Sequence, residues 1–319
     1  MKFRAILMLG ALLLGALTGA LAQQSFPERE VTLVVPVAAG GGSDAVMRAL
    51  ARELEPILGV PVVVVNRVGA GGAVGLAEVM TAAPDGHTLV MITEYNYNLP
   101  MTQDVPFGVD DFIPVATVNF DPAAIGVGAD SPWQTVDEMV EFAQENPGVV
   151  TLGNSGFGNI WHIAATAFED AAGIETVQVP FGGAAPTITA TLGGHISAMV
   201  ASPPEMAPQI EAGTMRLLAT MGVERSVQFP EVPTLQELGY DLQFGTWRGI
   251  GVPAGTPDGV VATLESAIEE AVSSDSFGSF MDDRGFGILY RSSAETAAYM
   301  EADAPRFRTL MESIGILRE

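Results

Sequence analysis

The chain has 319 residues, 48% of them hydrophobic and 7% aromatic, with 36 glycines, 21 prolines and no cysteine. Its formal net charge is −24, and Lys2 is its only lysine. This composition excludes a disordered chain and any disulfide or thiolate chemistry; the acidity argues against nucleic acid and anionic membrane surfaces, both of which need basic patches.

Met1-Lys2-Phe3-Arg4, an apolar run over residues 5–17 and Ala20-Leu21-Ala22 before Gln23 form the three regions of a secretory signal peptide. The apolar run falls short of the roughly 20 residues that span a bilayer. Residues 1–22 are therefore set apart from the fold, with cleavage after Ala22 and a periplasmic location expected. The rest of the chain exceeds what one core usually holds, so two domains are expected. Without Lys2 and Arg4 it carries 12 basic against 38 acidic residues, a net −26. Such a surface keeps a protein soluble, and its lack of lysine also suits a salt-loving host, where salt screens carboxylate repulsion within a few Å.

The first strand is expected over residues 31–37, followed by the loop Ala38-Ala39-Gly40-Gly41-Gly42-Ser43-Asp44 and a helix over 45–58. Val46, Leu50, Leu54 and Ile57 recur at helical spacing and give that helix a buried stripe. A short buried strand over 61–65 leads into a second glycine loop, Asn66 to Gly72, then a helix and a third strand over 88–92. Thr135-Val136-Asp137-Glu138 is a capping box that opens another helix. A strand over 149–152 then feeds a third loop, Gly153-Asn154-Ser155-Gly156-Phe157-Gly158-Asn159, and a helix over 160–171. The strand over 176–179 ends in Pro180-Phe181-Gly182-Gly183, and Thr256-Pro257 is read as the capped start of a late helix. Strand, glycine turn and helix in alternation imply parallel sheets with helices on their faces.

Catalytic motifs mostly fail. A dinucleotide loop would need glycine at Ala45, a P-loop would need a lysine, and a nucleophile elbow would need glycine at Phe157. His87, His162 and His195 lie far apart, without the spacing of a zinc site. No metal and no cofactor are expected, and no enzymatic activity, although a noncanonical hydrolase using Ser155 stays open. What remains is four glycine loops, each ending a strand and opening a helix. Backbone N–H groups at such helix starts receive carboxylate or phosphate.

These loops, with Ala83-Pro84-Asp85-Gly86-His87, Leu192-Gly193-Gly194-His195, Val232-Pro233-Thr234-Leu235 and Pro253-Ala254-Gly255-Thr256-Pro257, resemble one family over nearly the whole mature chain. It is the Bug family, the extracytoplasmic solute receptors of tripartite tricarboxylate transporters. The resemblance implies an α/β fold of the periplasmic-binding-protein type II kind: two α/β domains, a ligand cleft and two crossover hinges. Crossings are expected near residues 119–122 and 244–247. Domain 1 would then comprise residues 23–120 and 246–319, and domain 2 residues 121–245.

The function implied is capture of a small di- or tricarboxylate, by a monomer, for the membrane subunits of such a transporter. A component that presents its ligand to a membrane sensor kinase is the alternative. The site implied comprises Ala39, Gly40, Gly41, Gly42 and Ser43 of the first loop, Thr93 and Glu94 after the third strand, and Ser155, Phe157, Gly158 and Asn159 of the third loop. Phe181, Gly182 and Arg248 complete it. Asp44 is expected to cap the first helix and Arg48 to be structural. Thr93-Glu94-Tyr95-Asn96 and Asn159 depart from the family pattern; a Glu94 facing the cleft would repel a second anionic group or favour an amine or hydroxyl on the ligand, but a lone glutamate is expected to face solvent. Trp247-Arg248-Gly249 resembles citrate-type receptors, and Arg248 is expected either to fork onto the ligand or to pair with a surface acid.

Overall fold

The computed structural model describes residues 26–318 apart from 227 and 314; the signal-peptide segment lies outside them. Strand β1 (Val31–Val35) is buried at four of its five positions, as β-branched residues are in a sheet covered on both faces. Helix α1 (Gly42–Leu58) starts three residues before the apolar spacing suggests, because Gly42, Ser43 and Asp44 are already helical. Val46, Leu50 and Leu54 are fully buried on its inner side. Then come β2 (Val62–Asn66), α2 (Ala73–Met80), β3 (Thr88–Ile92), α3 (Tyr95–Thr102) and the long β4 (Phe112–Pro122). Strands β1, β2 and β3 are parallel.

After β4 the chain enters a second sheet through β5 (Ala124–Gly128), α4 (Val136–Glu145), β6 (Thr151–Asn154), α5 (Ile160–Ala172) and β7 (Val177–Pro180). It continues with α6 (Ala184–Leu192), β8 (Ala198–Ala201), α7 (Pro203–Glu211) and β9 (Met215–Thr220). The Thr135–Glu138 capping box forms at the start of α4, with Glu138 N–H donating to Thr135 Oγ1 at 3.2 Å. Strand β6 runs on through Gly153, expected as loop: a side chain there would collide with Ile196 and Thr187, so the glycine serves packing.

The chain returns through β10 (Gly245–Pro253), followed by α8 (Asp258–Val272), α9 (Asp275–Arg284), β11 (Ile288–Arg291) and α10 (Ser293–Ser313). Thr256 does not cap α8 as expected; its hydroxyl donates to Pro253 O, and Pro257 takes the cap position. The first sheet runs β11-β4-β10-β3-β1-β2 and the second β7-β6-β8-β5-β9. The two α/β lobes are joined by β4 and by the segment that ends in β10, and these crossings hold each other. Gly245 pairs with Pro122, Ala123 N–H donates to Phe244 O, and Met221 N–H donates to Ala123 O. The two crossings are thus hydrogen-bonded to each other.

Candidate ligand-binding cleft

The glycine loops after β1, β2, β6 and β7 sit at the carboxyl ends of parallel strands, where open α/β sheets bind ligands. They face each other across the lobes. Ala38 N–H donates to Gly182 O at 2.9 Å, Gln103 Nε2 to Phe157 O at 2.7 Å, and Asn159 Nδ2 to Gly71 O at 3.4 Å. Between them lies a hollow of about 440 Å³, whose lining includes Pro36, Gly69, Gly72, Ser155, Phe157 and Phe181. Gly71 has a φ of 66°, and a Cβ on it would stand 2.9 Å from Phe157 O, so the close approach of the lobes needs glycine there.

Gly158 is the reciprocal case: at φ 71° a side chain would run into Thr102 Oγ1 of the opposite lobe. Gly158→Val is therefore expected to lower stability by about 1–3 kcal/mol through backbone strain and to hold the lobes apart. Thermal unfolding checks this, and a wild-type melting temperature would show that the loop takes another backbone conformation and Thr102 gives way.

Side chains already engage much of the backbone that was expected to hold a ligand. Gly40 N–H donates to Asp44 Oδ2 at 3.0 Å, Gly156 N–H to Asn154 Oδ1 at 3.0 Å, and Gly158 N–H to His162 Nδ1 at 3.3 Å. Gly42 N–H donates to Glu205 Oε1 of the other lobe at 3.1 Å. Asp44 thus binds the loop before its own helix. Burial pulls its pKa up, but Arg48, Gly40 N–H and Asn66 together hold it below the ordinary range. Arg48 is structural, paired with Asp44 at 3.0 Å.

Ala39 and Gly40 are exposed at the rim, whereas a Cβ on Gly41 would lie 3.7 Å from Ala184 Cβ across the cleft. Thr93 is buried and its hydroxyl accepts from Tyr95 N–H at 3.2 Å, closing a local turn. Phe157 stands at the rim with its ring 4.9 Å from that of His162, and burial pushes His162 down to about 4, which keeps it neutral. Phe181 N–H donates to Asn154 O, and Gly182 is exposed. Ser155 Oγ bonds Asn159 Oδ1, which also caps α5 by accepting from Trp161 N–H. The hydrolase reading needs a base at Ser155, and an amide oxygen occupies that position.

Glu94 does not face solvent, as a lone glutamate was expected to. It is 1% exposed, with Oε1 accepting from Trp247 N–H at 2.9 Å and Oε2 from the Thr246 hydroxyl at 3.0 Å. Burial is the main cause that pushes its pKa up to about 8, against the partial relief of the Trp247 bond. Arg248 is likewise no surface ion-pair partner. It is 1% exposed, with Nη1 donating to Asn119 Oδ1 and Asp121 Oδ2 on β4 and Nε donating to Ser43 Oγ at 2.9 Å. Glu205 Oε1 lies 3.9 Å from Nη2. Burial alone would lower the arginine's pKa, but Asp121 and Glu205 outweigh it and raise it, so the guanidinium stays charged.

Sequence reasoning placed Asn119 and Asp121 only in a crossing and Tyr95, a buried aromatic packed over Gly72, only in a departing stretch, and it did not name Glu205. Glu205 carried a signal of its own, as the last residue of the capping box Ser202-Pro203-Pro204-Glu205.

Two α/β lobes hinged by paired crossing strands, with a glycine-lined cleft at the strand ends, define a solute-binding protein. The chain belongs to the Bug-type receptors of tripartite tricarboxylate transporters: the model of the tripartite tricarboxylate transporter family receptor matches residues 46–316. It is 32% identical to the UPF0065 protein in the gbd 5' region of Cupriavidus necator, over 97% of this chain and 94% of that one. Among solved structures it is similar to the periplasmic binding protein BugD, with 29% identity and a TM-score of 0.88 over 92% of this chain and 100% of that one. It is also similar to MatC of Rhodopseudomonas palustris with bound malate, with 27% identity and a TM-score of 0.85 over 89% of this chain and 99% of that one. Among the described residues no helix is long and apolar enough to cross a membrane.

Proposed function

We propose that this protein captures a small di- or tricarboxylate between its lobes outside the cytoplasmic membrane and delivers it to the membrane subunits of a tripartite transporter. The observation that carries this reading is the meeting of glycine loops from opposite lobes, beside a charged and buried Arg248, at the strand ends. Such loops present N–H groups to an anion without needing a counter-charge of their own. The malate bound by the similar MatC supports the same ligand class.

Thermal unfolding of the mature protein with a panel of organic acids tests the reading. A ligand at a hundredfold excess over its Kd stabilises the folded state by about 2.7 kcal/mol, so malate, citrate or a close relative is expected to raise the melting temperature by several degrees. Stabilisation by amines or sugars, with no response to any carboxylate, would sink it.

A further inference from the structure

Glu205 sits at the third position of α7 in the second lobe, yet its carboxylate reaches the first. Oε2 accepts from the N–H and the hydroxyl of Ser202, both at 3.0 Å, and so closes the capping box of α7. Oε1 accepts from Gly42 N–H at 3.1 Å, at the start of α1, and stands 3.9 Å from Arg248 Nη2. Helix α1 has no side-chain cap of its own, because Gly41 occupies the cap position. One carboxylate therefore serves a helix start in each lobe, and does so with its side chain 4% exposed. The fit is close: a Cβ on Gly42 would stand 2.6 Å from Glu205 Cγ.

Gly42 N–H belongs to the loop on which a ligand carboxylate is expected to rest. Around it the buried charges are the Arg248 guanidinium, the carboxylates of Asp121 and Glu205, and the carboxylate of Asp44, which is already paired with Arg48 at 3.0 Å. A ligand carboxylate added while Glu205 stays would be a third anion on Arg248, beside Asp121 and Glu205, in a site of low dielectric where like charges repel strongly. Exchange of one carboxylate for the other leaves the buried charge unchanged.

We infer that Glu205 is an internal competitor for the anion seat: its carboxylate latches the lobes together through Gly42 N–H, and a ligand carboxylate binds by replacing it. The exchange rests on the carboxylate-receptor reading above; the latch does not. A latched molecule is not competent to bind, so the apparent affinity is reduced by the latched fraction.

The mature chain lacks cysteine, so Glu141→Cys on α4 and Glu270→Cys on α8, both exposed, accept a pair of spin labels. Without added ligand, the distance between them is expected to be short and narrow in the otherwise wild-type chain, and longer and broader in Glu205→Ala. Glu205→Gln, which keeps an oxygen for Gly42 N–H and loses the charge, is expected to fall between the two. It also stands in for Glu205→Ala if circular dichroism shows that the alanine variant fails to fold. Titration with malate and with citrate gives the second reading: Glu205→Ala is expected to bind about tenfold tighter or more, the fold-change that one charge-assisted hydrogen bond represents. An unchanged distance distribution overturns the latch. Weaker binding by Glu205→Ala overturns the exchange, because Glu205 would then be a partner of the ligand and not its rival. If the wild type binds neither acid, the carboxylate reading and the exchange fall together, and the distances still decide the latch.

Discussion

Arg248→Ala is expected to cost about 3–5 kcal/mol of folding stability, because it leaves the Asp121 carboxylate buried without its cation. Asp121 is 1% exposed. It keeps only neutral donors, Gly287 N–H at 3.0 Å and Asn119 Nδ2 at 3.2 Å. Asn119 Oδ1 and Ser43 Oγ lose their donor in the same step. A surface ion pair would behave differently, since exposed pairs contribute about 0–1 kcal/mol.

Urea unfolding measures the loss, and the double variant Arg248→Met, Asp121→Asn separates its causes. Removing both charges while roughly keeping volume is expected to restore part of the stability, since replacing a buried ion pair by uncharged groups is often neutral, while Glu205, Asn119 and Ser43 still lose the guanidinium. An Arg248→Ala protein within about 1 kcal/mol of wild type would show that the guanidinium holds nothing together. Ligand titration of this variant would be meaningful only under conditions in which it is folded.

Strands β1, β2, β3, β6 and β7, the helices that open from the glycine loops and the capped α4 were legible because their signals are local. A run such as Val31–Val35 and a capping box such as Thr135–Glu138 state their structure within a few residues. The chemistry of the cleft floor is not local. Glu94 bonds Trp247 across 153 residues, Gly42 bonds Glu205 across 163, and Arg248 bonds Asn119 across 129. A glutamate is rarely buried unless paired, so solvent was the expected place for Glu94 until the return of β10 brought Thr246 and Trp247 over it. Arg248 was read in the right segment, but the acid it meets is no surface group: it is Asp121, buried on β4, the other crossing strand. The early start of α1 has a similar origin: the N–H of its first residue, Gly42, is satisfied by Glu205 of the opposite lobe, which no local pattern announces.

Stability is expected to fall as the pH rises toward and through 8, and Glu94→Gln is expected to remove much of that fall. Burial pushes Glu94 from 4.5 to about 8. Between these values the folded state keeps a proton that the unfolded chain has released. Linkage then requires stability to be full below about 4.5 and to be lost up to about 8, by about 5 kcal/mol for a difference of this size. Asp303 adds to the same slope. It is raised by burial, against the pull of a 2.6 Å bond from the Tyr97 hydroxyl, and its charge in turn raises Glu94. Because Asp303 remains, the variant should flatten the profile without abolishing it. Glutamine fits the site: its oxygen can accept from Trp247 N–H, and its amide can donate to Thr246 Oγ1, whose own proton has Trp247 O at 3.3 Å as acceptor. Above pH 8 Glu94→Gln should therefore melt higher than wild type, and near pH 4 the two should converge. Melting curves from pH 4 to 9 decide it. Parallel profiles for the two proteins would mean that Glu94 is ionised in the folded state, with its charge fully met by the Thr246 and Trp247 donors.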